Sequence, residues 1–92
     1  MIIVKQGLKL SLLEQLARQY KATNKRTSYK GLAMVRGILW AVMNDEEITR
    51  PQDHNSKRLY NKHLVRLQAQ GLITKDLKKS EYLSQLVIDS QD

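Results

Sequence analysis

Apolar residues recur at helical spacing in three stretches of the chain, and two shorter apolar runs lie outside them. Leu12, Leu13, Leu16, Ala17 and Tyr20 fall on one stripe when successive residues are turned by about 100°. Ser11-Leu-Leu-Glu14 stands ahead of that stripe and matches a capping box, in which hydroxyl and carboxylate satisfy each other's helix-end amides. A helix is therefore predicted from about residue 11 to 23. The second stretch, about Ser28 to Met43, is apolar on nearly all sides: Leu32, Ala33, Met34, Val35, Ile38, Leu39, Trp40, Ala41, Val42 and Met43. A helix hydrophobic all round is covered all round, so this one is expected at the centre, packed by other helices or by a second subunit. The polar, turn-rich segment Lys21 to Lys30 connects the two and is too short for an interdomain linker.

The third stretch runs from Ser56 to Gln70 and has two unlike faces. Tyr60, His63, Leu64 and Leu67 share one side, with Leu59 at its margin, and Arg58, Asn61, Lys62, Val65 and Arg66 spread over the other. Ser56 is the expected N-cap, and Gly71 can take the left-handed conformation that closes a helix. Before this helix, Ile48-Thr49 reads as a brief strand, and Pro51 suits the first turn of a short helix to Asn55. After it, Ile73 to Ile88 holds two apolar segments around a polar turn that carries Lys75, Lys78 and Lys79. Tyr82, Leu86 and Ile88 alternate with Leu83 and Val87, which favours a strand; Leu83, Leu86 and Val87 also fit a helix capped by Ser80.

With these elements in order, residues 32 to 88 resemble a winged helix-turn-helix DNA-binding domain. Leu64-x-x-Leu67-x-x-x-Gly71-Leu72-Ile73 is similar to the family's passage from recognition helix into wing. The resemblance implies a fold that is mainly α with a small β-hairpin, a winged helix-turn-helix over about 28–90 with an extra N-terminal helix, in a single domain spanning residues 1–92. Ile48-Thr49 would be the first strand, Pro51 to Asn55 the second helix, Ser56 to Gln70 the recognition helix, and 73–88 the wing.

Composition narrows what such a domain could do. The 92 residues carry 16 Lys and Arg against 9 Asp and Glu, a formal net charge of +7. The excess is uneven: acid gathers at Asp45-Glu46-Glu47 and near the C-terminal end, leaving two basic tracts, residues 1–44 and 50–79. A field of this sign draws polyanions to the surface. There is no Cys, and His54 and His63 are too few for a metal cluster, so neither a disulfide framework nor a metal site is expected. His63 is expected to be a packing residue. The opening Met-Ile-Ile-Val run is broken by Lys5, and Arg36 interrupts the longest apolar stretch, so neither a signal-peptide core nor a membrane span is expected. The protein is expected to be cytoplasmic, and nucleoid-associated if bound to DNA.

The function these residues suggest is binding without chemistry. No Gly-rich phosphate loop, ligand spacing or nucleophile with a matching His and acid is present, so no catalytic residue and no cofactor is assigned. Ser56, Lys57, Arg58, Asn61, Lys62 and Arg66 would face double-stranded DNA, with Arg58 forking onto guanine and Asn61 pairing with adenine in the major groove. Lys75, Lys78 and Lys79 would hold the backbone from the wing, and Lys25, Arg26 and Lys30 would extend the phosphate footprint. A homodimer would place two recognition helices about one DNA turn apart and favour a palindromic operator, hence a small repressor-like transcriptional regulator. The rival is an interaction module whose basic face meets an acidic protein of polymerase, replication or defence machinery. With five aromatic residues and no expected aromatic platform, the common single-strand RNA modules are disfavoured.

Overall fold

The computed structural model describes the backbone of residues 2–90 and the side chains of residues 9–90. Four helices follow one another: α1 (Ile2–Thr23), α2 (Tyr29–Met43), α3 (His54–Ala69) and α4 (Glu81–Ser90). Helix α2 is the hub, packing against α1, α3 and α4, while α1 also packs against α4. Their inner faces meet in one core that includes Leu16, Tyr20, Ile38, Leu39, Leu64, Leu67, Leu83 and Val87.

The expected β-hairpin is not there: among the described residues no strand forms, and the fold is all-helical. Ile73 and Lys79 make a single antiparallel bridge, and the loop between them is closed by Thr74 N–H donating to Lys78 O at 2.8 Å and Leu77 N–H donating to Thr74 O at 3.0 Å. Leu77 sits at φ 61°, a left-handed conformation unfavourable for a branched apolar residue. A ladder cannot extend from this loop, because Glu81 onward is α4. Ser80 starts that helix: its Oγ accepts from Leu83 N–H at 3.1 Å and donates to Gly71 O at 2.6 Å. Leu83 and Val87, one turn apart, then bury together, whereas Tyr82 and Ile88 stay exposed. Period 3.6 prevails over period 2 here because the cap and the core both reward the helix.

The segment before α3 differs in the same direction. Ile48-Thr49 forms no strand and Pro51 to Asn55 no separate helix; residues 46–50 carry no regular structure, with Ile48 packed against the core. Asp53, not Ser56, caps α3, with φ −72° and ψ 147° and its Oδ2 accepting from Ser56 N–H at 2.9 Å. Two further sequence expectations change. Ser11 lies inside α1, so Ser11-Leu-Leu-Glu14 is not a capping box, and Glu14 instead pairs with Arg36 of α2 at 3.1 Å. Helix α2 is not covered all round: Ala33 and Gly37 are exposed, and Trp40 packs on the edge of the core.

The start of α2 and the end of α3 are closed by local hydrogen bonds. Ser28 Oγ accepts from Gly31 N–H at 3.1 Å at the start of α2. Gly71, at φ 79°, closes α3 with a Schellman motif: Leu72 N–H donates to Leu67 O at 3.1 Å and Gly71 N–H to Gln68 O at 3.0 Å. Leu72 and Leu67 are both buried, the apolar contact that accompanies this stop. No helix among the described residues is long and apolar enough to cross a membrane.

Candidate nucleic-acid interface

The candidate surface is the outer face of α3, so its orientation is set by what anchors the inner face. His63 is only 2% exposed, and its Nδ1 is hydrogen-bonded to the Tyr20 hydroxyl of α1 at 2.5 Å. On its other side the ring lies against α2 at Gly31, where a Cβ would stand 2.6 Å from His63 Nε2. Only glycine allows this approach, and Gly31 thereby sets how closely α2 and α3 pack. Among the described residues Nε2 has no hydrogen-bond partner. Burial holds the imidazole's pKa below its usual value, and the charges of Arg66 and Lys62 add to that. Tyr20 is shifted upward by burial, with the nearby Arg66 pulling the opposite way, and Tyr60 is shifted upward by burial against the pull of Arg50.

With His63, Tyr60, Leu64 and Leu67 turned inward, the opposite side of α3 carries Lys57, Arg58, Asn61 and Lys62, all exposed. Asn55, Arg58, Leu59 and Lys62 line a shallow hollow of about 320 Å³ along one edge of that side. Arg66 is half-buried beside Tyr20. Ser56, assigned to the DNA face from the sequence, is 5% exposed and accepts from Lys30 Nζ at 2.8 Å. It ties α2 to α3 and is not open to a ligand.

That tie brings the second basic group to the first. Lys30 follows the Ser28 cap of α2, and Lys25 and Arg26 lie exposed in the α1–α2 loop just before it. Lys21 Nζ donates to Lys25 O at 2.8 Å and Thr27 O at 2.6 Å, which shapes this loop. Asp53 sits nearby, its carboxyl held below its usual pKa first by the Ser56 amide it caps and also by the Lys30 charge. The structure thus gathers Lys25, Arg26, Lys30, Lys57, Arg58, Asn61, Lys62 and Arg66 around α3 and the start of α2.

The wing cations do not join them. Lys75, Lys78 and Lys79 belong to the α3–α4 loop, which meets the turn after the far end of α2, and a 15-residue helix is about 22 Å long. Lys79 Nζ lies 3.3 Å from Asp45, and Lys78 borders a cleft of about 330 Å³ shared with Glu46, Glu47 and Asp76. Acid offsets the positive charge there. No group of three or more acidic or His side chains among the described residues is placed to hold a metal ion.

Two residues of the surface escaped the sequence reading. Asn55 precedes the expected cap but belongs to the first turn of α3, one turn before Arg58 and Leu59. Tyr29 is 94% exposed at the first position of α2, among the loop cations. Its signal was a lone aromatic between a capping Ser and a Lys. No protein-family model, curated protein or solved structure matches the chain.

Proposed function

We propose that this protein binds double-stranded DNA, with the outer face of α3 in the major groove and the start of α2 on the flanking backbone. The observation that carries this reading is the convergence of exposed Arg58, Asn61 and Lys62 with Lys25, Arg26 and Lys30, joined through Lys30 and Ser56. A helix of this width enters the major groove, where the Arg fork matches the two acceptors of guanine and the Asn amide the donor and acceptor of adenine. Lys57, Lys62 and the loop cations neutralise phosphates, which supplies affinity without sequence information. The α3–α4 loop has no wing role here, because Asp45 and its acidic neighbours face it. Occlusion of a promoter or origin by the bound protein is the simplest output, so a repressor-like role is the one to test first.

Selection from a random duplex pool followed by fluorescence anisotropy on the enriched site tests the reading. Arg58→Ala and Asn61→Ala are each expected to lose about 1–3 kcal/mol of discrimination at one base pair while keeping most of the non-specific affinity. Absence of duplex binding even at low salt would exclude DNA as the ligand and leave an acidic protein as the partner of this face.

A further inference from the structure

We propose that Tyr29 stacks on an unpaired base beside the duplex held by α3, so that the preferred DNA is a duplex with a single-stranded flank. This rests on the DNA-binding reading above. Of the four tyrosines, Tyr20 and Tyr60 are buried in the core, and Tyr82 follows Glu81 on α4. Tyr29 differs from all three: it is 94% exposed and has Arg26, Ser28 and Lys30 as close neighbours along the chain. Side chains on a helix lean toward its N-terminus, so a residue at the first position projects past the helix end, clear of the body of α2. Lys30, the next residue, reaches Ser56 in the first turn of α3, which ties the start of α2 to the turn that carries Lys57 and Arg58.

The chemistry of the ring then selects the ligand. Bases inside a duplex have both faces covered by their neighbours, so an aromatic ring finds an open face at an unpaired base or at the end of a duplex. Stacking of this kind tolerates any base, and adjacent cations hold the phosphates of the same strand. Tyr29 with Arg26 and Lys30 supplies both parts, at the start of a helix that Lys30 ties to the one assigned to the duplex.

Anisotropy with a blunt duplex and the same duplex extended by a short unpaired tract tests this directly. The parent protein is expected to bind the extended form roughly five- to a hundredfold more tightly, the range of one base–aromatic stack. Tyr29→Ala and Tyr29→Leu should abolish that difference, and Tyr29→Phe should keep it. A fluorescent adenine analogue in the unpaired tract should be quenched by the parent and the Phe variant only. Equal binding of both duplexes by the parent, unchanged in Tyr29→Ala, overturns the stacking role while leaving α3 on duplex DNA. Failure of the parent to bind either duplex overturns the DNA reading itself, and this inference with it.

Discussion

His63 occupies the centre of the α1–α2–α3 junction with one nitrogen bonded to Tyr20 and the other, among the described residues, unpartnered against Gly31. Whichever tautomer it adopts, Nε2 is left with an unmet donor or acceptor, and protonation would add a charge with no carboxylate to receive it. Its pKa is therefore lower folded than unfolded, so the unfolded chain takes up the proton first as pH falls. Stability from this group is complete above the unfolded value of 6.5 and declines below it, by at most about 1.4 kcal/mol per pH unit, until the folded pKa is reached. Asp53, whose pKa is depressed from the ordinary 3.8, contributes stability that is lost only in stronger acid than that at which the His63 decline begins. Urea unfolding at a series of pH values should show the decline in the parent and a flatter limb in His63→Gln. That His63 packs inward was legible from its place on the apolar stripe. Its hydrogen bond to Tyr20, 43 residues earlier, and the hole that Gly31 leaves for its ring depend on how three helices cross, and no local pattern encodes them.

Among the elements, the helix ends separate what local chemistry decides from what packing decides. Gly71 acts where its residue type leads one to expect, because it needs only neighbours a few positions away, whereas Ser80 caps a helix where a strand was favoured. At α3 two candidates, Asp53 and Ser56, stand three residues apart, and both are competent caps. Asp53 takes the role, which frees Ser56 to turn inward and receive Lys30. Asp53→Ala is accordingly expected to lower the midpoint of thermal or urea unfolding. Ser56→Gly would not reproduce a cap loss if α3 starts at His54; helix content read by circular dichroism should fall in the Asp53 variant as the first turn frays. The hairpin expectation failed for a related reason. Residues 81–88 satisfy strand and helix periods alike, and the partner decides: among the described residues no strand faces them, the lone Ile73–Lys79 bridge lying before them, whereas α1 packs against α4.

Over the whole molecule the charge is polar in arrangement. Cations cluster at the start of α2 and the outer face of α3, and Asp45, Glu46, Glu47 and Asp76 gather with Lys78 and Lys79 beyond the other end of α2. Phosphate contacts release counterions, so each contributes close to one unit to the salt slope of binding. Arg26→Ala and Lys62→Ala are each expected to reduce the slope of log affinity against log salt by about 1, whereas Lys79→Ala, whose charge Asp45 already answers, should leave it unchanged. A loss of slope in Lys79→Ala equal to the others would place the α3–α4 loop on the backbone after all. The sequence by itself determined the second half of α1, the helical stretches of α2 and α3, the stop at Gly71, the inward stripe of α3 and the basic excess, because each rests on spacing or composition, whereas the start of α1 at Ile2 was not expected. Tertiary structure decided the cap at Asp53, the helix at 81–90, the pairing of Lys79 with Asp45 and the meeting of Lys30 with α3. Those outcomes depend on which distant groups share a face, and a one-dimensional pattern holds no distances between them.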